Sequence, residues 1–467
     1  MQRQNNEQRI TGWISPADIL IISIIVSGGF ITILNQTVIS PALPSIMRDF
    51  QIGASEGQWL STAFMLVNGI MIPITAYLID RFTTRTLFIG SMAIFTLGTA
   101  IAAYSPNFTF LLLARVLQAI GAGIQMPLGA VVMMLLFPKE KRGIAMGIVG
   151  IVIAFAPAIG PALSGWVVDV WGWQVVFLAI VPLAIIDIIF GVLFLRNVGE
   201  THHPYLDWPS VFISTIAFGS LLYGFSFAAS YGWLSPFTII PLIVGGITLY
   251  IYIKRQLALP EPLLELRVLE SKTFAYATLI VMIVQSALLV GTIIVPIYIQ
   301  DVLGYSATAS GLLMMPGAIV MGIMSPISGL LFDRFGPRFL ALAGLIILIV
   351  TSGIFAFVDE NTGYLFLAVI FTIRSLGMSM VNMPINTWGI NALDNRYIAH
   401  GNAVNNTARQ LGGSIGTAFL ITIMTLVMKA NTASGITHAT LLGINTAFGV
   451  SAGIIGIALI LSIFKVK

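Results

Sequence analysis

Gly329-Leu330-Leu331-Phe332-Asp333-Arg334-Phe335-Gly336-Pro337-Arg338 reads small-x-x-x-Asp-Arg-Phe-x-x-Arg. So does Ala76-Tyr77-Leu78-Ile79-Asp80-Arg81-Phe82-Thr83-Thr84-Arg85. Each stretch falls where one long apolar run ends and the next begins. A short turn with one acid and two bases between apolar helices can pin neighbouring helix ends, because unsatisfied terminal carbonyls and amides attract charge. Finding it twice predicts a chain built from two related halves.

Working outward, 57% of the 467 residues are hydrophobic, 9% are charged, and the mean hydropathy is +0.98. Soluble domains carry about 25% charged residues, so lipid must be the main solvent here. In lipid the backbone must satisfy its own polar groups, as helices or as a closed barrel. The runs are unalternating and long enough to cross a bilayer, which selects helices. They predict fourteen spans, at about 17–40, 55–79, 86–104, 108–136, 143–168, 173–195, 208–229, 234–253, 273–298, 308–332, 338–358, 362–388, 402–428 and 441–464. An even number puts both termini on one side. Of the 22 Lys and Arg, only Arg48 and Lys429 fall on the far side, and Arg115, Arg374 and Arg409 fall within spans. The positive-inside rule therefore places both termini in the cytoplasm. That placement accounts for the net charge of +4 and pI near 9.3 without nucleic acid. The absence of Cys excludes disulfides and thiolate metal sites. Arg3 and Arg9 precede a full-length first span with no cleavage pattern, so a retained helix is expected.

The duplication extends beyond the two turns. Arg115 has a counterpart in Arg374, and Gln125-Met126-Pro127 in Asn382-Met383-Pro384. A shared offset of about 255 residues overlays spans 1–6 on spans 9–14. The expected domains are residues 1–200, a pair of additional spans with a Pro-containing linker at 201–270, and residues 271–467. Parallel six-helix halves suit a secondary transporter with its substrate path between them.

With these motifs in order, the chain resembles the fourteen-span drug:proton antiporters of the major facilitator superfamily, which include multidrug, quaternary-ammonium and lincomycin-resistance-type exporters. Leu34-Asn35-Gln36-Thr37-Val38-Ile39-Ser40-Pro41-Ala42-Leu43-Pro44 is similar to that family's first-span signature, and the two Asp-Arg turns to its gating motif. Arg115-x-x-Gln118-x-x-Gly121-x-Gly123 resembles its span-4 arginine motif. Gly147 with Gly160-Pro161-x-x-Ser164-Gly165 resembles its span-5 antiporter motif. The resemblance implies a major facilitator fold of two six-helix bundles plus two extra helices, in a bacterial cytoplasmic membrane, monomeric and without cofactor. It implies proton-driven export of small amphiphiles by alternating access, with a lipid or lipid-precursor flippase on the same fold as the alternative. It also implies gating by Asp80, Arg81, Arg85, Asp333, Arg334 and Arg338, and a role for Arg115 in proton coupling.

The residues themselves qualify this reading. A cation as deep as Arg115 must face the bundle interior and find partners. The other reading of Arg115 is structural, capping carbonyls of a neighbouring helix. Gly147, Gly160 and Gly165 permit close helix contact, while Pro157 and Pro161 remove backbone donors. Ala156 and Ser164 stand where the family usually has Gly. Asn35 occupies the place of the family's usual Asp and cannot titrate. Asp187 is the only carboxylate well inside a span and becomes the expected proton carrier, with Glu56 at the outer end of span 2 as a further acid. A structural partnership with a core arginine is the other reading of Asp187. Arg115, Arg374 and Arg409 outnumber it, which favours neutral, zwitterionic or anionic substrates over simple cations. Expected cavity residues are Asn35, Gln36, Asn68, Gln125, Met126, Gln285, Asn382, Met383 and Asn386, with Arg374 and Arg409; Met and amide groups suit promiscuous binding. His202 and His203 form an isolated loop pair without further metal ligands. No phosphate loop, metal cluster or soluble domain points to an enzyme.

Overall fold

The protein is described by a computed structural model covering residues 15–52, 54–57, 59–199, 207–305 and 307–466. His202 and His203, and the Arg3 and Arg9 segment, lie outside the described residues. The first half holds α1 (Pro16–Thr37), α2 (Ile39–Phe50), α3 (Trp59–Arg81), α4 (Thr84–Ala103), α5 (Phe108–Leu136), α6 (Arg142–Trp171) and α7 (Trp173–Phe194). The additional pair is α8 (Trp208–Tyr231) and α9 (Pro236–Ala258). The second half holds α10 (Lys272–Ile297), α11 (Ala307–Phe335), α12 (Pro337–Phe355), α13 (Tyr364–Asn391), α14 (Ile398–Ala430) and α15 (Ile436–Lys465). Among the described residues, 13 helices are long and apolar enough to cross a membrane. The 30-residue α6 covers the segment expected as the fifth span. Among the helices of more than two turns in the described residues, the apolar pattern did not separate α2, a twelve-residue helix continuing beyond α1 past Val38.

Polar caps fix several helix starts. Ser15 and Asp18 form a reciprocal capping box on α1, Thr83 caps α4, Asn107 caps α5 and Ser271 caps α10. Gly336 takes φ 74 in the second Asp-Arg turn, where the first turn uses Thr83 as a conventional N-cap. The same turn position is thus solved by two different chemistries.

The chain divides into two compact units. One comprises the described part of Met1–Thr215 with Arg255–Leu266 and Asn395–Val404; the other comprises Ile216–Lys254, Arg267–Asp394 and Asn405–Lys467. The α8–α9 pair is not a unit of its own, since its ends group with the first unit and its middle with the second. Within the first unit α4 packs on α5 and α7, α3 on α5, and α1 on α5 and α7. Within the second, α12 packs on α13 and α15, α11 on α13, and α10 on α13 and α15. Each of these pairings in one unit recurs at the repeat-related pair in the other, so the duplication read from the motifs extends to this packing.

The helix α7 shows how lipid shapes the sequence. Val176, Phe177, Ile180, Ala184, Asp187 and Gly191 form its buried stripe at helical spacing. Leu183, Ile185, Ile186, Ile189, Phe190 and Leu193 on the remaining surface are exposed. An apolar exterior of this kind is stable only against hydrocarbon.

Candidate functional site

Arg115 is fully buried on α5 and gathers groups from neighbouring helices. Its Nη1 donates to Asn35 Oδ1 of α1 at 2.9 Å and to Gln118 Oε1 at 2.7 Å; its Nε donates to the Leu60 carbonyl of α3 at 3.2 Å. The guanidinium carbon sits 4.4 Å from the centre of the Phe64 ring. Gln118 Nε2 passes the network on to Thr99 of α4 at 3.2 Å. Every named acceptor is neutral, so the guanidinium holds its charge by hydrogen bonds and a ring face. Asn35, expected to line a cavity, is wholly buried as an acceptor for Arg115, and its Nδ2 has no partner.

Arg374 builds the repeat-related centre in the second unit. Its Nη1 donates to Ser352 Oγ at 2.5 Å and its Nη2 to the Ala287 carbonyl at 2.8 Å, with the Phe448 ring centre 5.7 Å away. Gly291 makes room for it, since a Cβ there would stand 3.1 Å from Arg374 Nε. Both core arginines are therefore polar hubs between helices, and Arg374, expected in the cavity, is buried. Arg409 Nη2 donates to Gln285 Oε1 at 3.3 Å, and both side chains are half-buried.

Asp187 faces α1. Ser27 Oγ donates to its Oδ1 at 2.6 Å, while the buried Oδ2 has no hydrogen-bond partner. Gly28 permits this approach, because a Cβ there would lie 2.9 Å from Oδ2. Among the described residues no ion pair joins Asp187 to an arginine; Arg196 instead lies 3.8 Å from Asp18. The carboxylate is thus buried, singly bonded and uncompensated. Glu56 is exposed on a short helix, Ala54–Gly57.

The remaining amides separate into two groups. Gln125 and Met126 line a cleft in the first unit together with Ile25, Gly29 and Ile33 of α1 and Val149 of α6. Gln125 Nε2 is fixed by Ser91 at 2.8 Å and its Oε1 has no partner. Gln36, Asn68 and Asn382 are half-buried. Met383 and Asn386 are buried, and Asn386 Oδ1 accepts from Asn405.

At the Asp-Arg turns the repeat gives matching contacts. Arg85 Nη2 donates to the carbonyl of Val192 in the last turn of α7. Arg338 Nη2 donates at 3.4 Å to the carbonyl of Ile463 in the last turn of α15. Both arginines hold a repeat-related helix C-terminus, where free carbonyls and the helix dipole favour a cation. Asp80 meets His400 Nε2 at 3.0 Å. Arg334 lies 5.2 Å from the Phe335 ring centre. Arg81 and Asp333 lie within their expected turns, at the end of α3 and in the last turn of α11.

In the small-residue motif of α6 Gly147 is buried, and α6 passes α1 at Gly160, where an added Cβ would overlap Thr37 Oγ1. Gly165 is looser, with Pro41 at 3.9 Å from its notional Cβ. Pro157 and Pro161 lie within α6. Sequence reasoning missed Ser27 and His400. The signals available were a small-residue step, Ser27-Gly28-Gly29, and the position of His400, one of four histidines, in the polar start of α14.

The chain that carries this duplicated helix packing, its paired arginine hubs and its paired Asp-Arg turns is similar to known proteins. The model of the Major Facilitator Superfamily matches residues 25–417. The chain belongs to the Major Facilitator Superfamily. Over 95% of its length and 94% of the relative's it is 49% identical to the Bacillus subtilis protein YcnB, described as an uncharacterized MFS-type transporter. It is 38% identical to the lincomycin resistance protein LmrB of the same organism, over 87% of this chain and 85% of that one. Among solved structures, the human organic anion transporter MFSD10 superposes with a TM-score of 0.68 at 13% identity, covering 96% of this chain and 100% of that one. At that identity the likeness is one of fold. The chain is accordingly a multi-pass membrane transporter of this superfamily.

Proposed function

We propose that this transporter is a proton-coupled exporter of small amphiphilic drugs, working by alternating access with both termini in the cytoplasm. The observation that carries the reading is Asp187: a buried carboxylate on α7, bonded through one oxygen to Ser27 of α1 and uncompensated by a nearby base. Such a group binds and releases a proton as its surroundings open and close, because burial favours the neutral acid and hydration the anion. Arg115 next to Asn35 supplies fixed positive charge in the same unit. That balance favours neutral, zwitterionic or anionic amphiphiles over permanent cations. Gln125 and Met126 in the cleft offer an adaptable polar and soft lining. The named relative LmrB supports a drug such as lincomycin as the first probe. The protein is proposed to act as a monomer, without cofactor and without nucleic acid.

The test is a resistance panel in a pump-deleted bacterial host. Wild type is expected to raise resistance to lincomycin more than to ethidium, and Asp187→Asn at matched protein level is expected to abolish the gain. Full resistance with Asp187→Asn removes the carrier role.

A further inference from the structure

The ends of the two additional helices belong to a continuous polar chain that reaches Asp80. At the start of α8, Asp207 receives two bonds from Arg255 of α9, Nε to Oδ2 at 2.7 Å and Nη2 to Oδ1 at 2.8 Å. Ser210 Oγ donates to the same carboxylate at 2.5 Å, and Gln256 Nε2 of α9 donates to Ser210 Oγ at 2.6 Å. Gln256 then turns its Oε1 to the linker, accepting the Leu264 N–H at 3.1 Å. The next linker residue, Glu265, donates its backbone N–H to His400 Nδ1 at 3.2 Å. His400 Nε2 completes the chain at 3.0 Å from Asp80 Oδ2 in the first Asp-Arg turn.

The chemistry of the histidine makes the link specific. A backbone N–H can only donate, so Nδ1 must accept, and Nε2 is left as the donor to Asp80. Both ring nitrogens are committed, one to the linker and one to the turn. Ser210 and Gln256 are wholly buried, and His400 and Glu265 nearly so, which makes each unmade bond costly. A second contact grips the same short segment: Arg142 Nη2 donates to Asn395 Oδ1 at 3.1 Å, just ahead of His400.

We propose that the additional helices and their linker act as a brace for the gating turn, with His400 as the positioning residue that holds Asp80. This rests on reading the Asp80 turn as a gate. Asp207 and Arg255 set the ends of α8 and α9 together. Gln256 hangs the linker from them, and the linker fixes the ring of His400. Loosening any member frees the Asp80 turn without touching it.

The experiment exploits the absence of native Cys. Phe82, 43% exposed in the turn, is replaced by Cys in the full chain, and its labelling rate by a fluorescent maleimide is followed in permeabilised membranes. Arg255→Gln and Gln256→Ala are expected to raise the rate about fivefold, the population shift of one lost hydrogen bond. His400→Gln discriminates further, since its amide nitrogen can reach Asp80 from the Nε2 position while its acceptor, Oε1, does not stand where Nδ1 meets the Glu265 N–H. It is expected to label as fast as His400→Ala. Ser210→Ala, a single-hydroxyl deletion, replaces Gln256→Ala if that protein fails to accumulate. The proposal is overturned if His400→Gln labels like wild type, or if the α8–α9 variants do so while Asp80→Asn labels faster. Labelling needs neither substrate nor a proton gradient, so this result stands apart from that of the resistance panel.

Discussion

A guanidinium among two side-chain amides, a carbonyl and a ring face keeps its charge without a counterion, and Arg115 is held in this way next to Asn35. Replacing Asn35 by Asp would put a carboxylate where the amide oxygen now lies, 2.9 Å from Nη1. We expect Asn35→Asp to shift export toward cations, read as a higher ratio of ethidium to lincomycin efflux; an unchanged ratio would show that this charge has no part in selection. Outside the spans, the Arg255 hydrogen bonds hold the Asp207 carboxyl at about 2, below its ordinary 3.8, against a burial effect that raises it; the Ser210 bond helps. A depressed carboxylate contributes stability that is complete above its unfolded value and lost as pH falls through the folded one. Asp207→Asn should therefore lower the thermal midpoint in detergent near neutral pH, and the gap from wild type should close from about pH 4 toward about pH 2. At this scale the sequence exposed the buried charges, because ionised groups in apolar runs are conspicuous. It did not expose their partners. Asn35 and Arg115, or Asp80 and His400, meet through tertiary packing, and no local spacing encodes such a meeting.

Elements were more legible than contacts. The apolar runs located the long helices because each must satisfy its backbone inside lipid. The α2 helix escaped because it is short and follows α1 with a break of one residue. The small-residue motif of α6 suggested close packing in general, and the structure puts a steric requirement at Gly160 against Thr37 that Gly165 does not share. The Thr37 hydroxyl is already bonded to the Leu34 carbonyl at 2.9 Å, so it cannot turn aside without losing that bond. Gly160→Ala should cost about 1–3 kcal/mol by overpacking α1 against α6, seen as a lower thermal midpoint. Gly165→Ala should be nearly silent. Equal effects at both positions would mean that the α1–α6 approach is not the constraint.

Across the whole molecule the repeat is the organising fact. Two sets of helices pack in the same internal pattern, two arginines serve as hubs, and Arg85 and Arg338 hold equivalent helix ends. The duplicated Asp-Arg turns pointed to this, because the same charged turn between apolar runs implies related helices on either side. The repeat does not carry the energy source of transport; the proposed proton coupling is placed on Asp187, a residue without a repeat-related acid. The most direct measurement uses purified protein in liposomes, with lincomycin and proton movements followed together under an imposed pH gradient. The carrier role of Asp187 predicts opposed fluxes for wild type and, for Asp187→Asn, no gradient-driven lincomycin accumulation. Undiminished, proton-coupled accumulation by Asp187→Asn would contradict it.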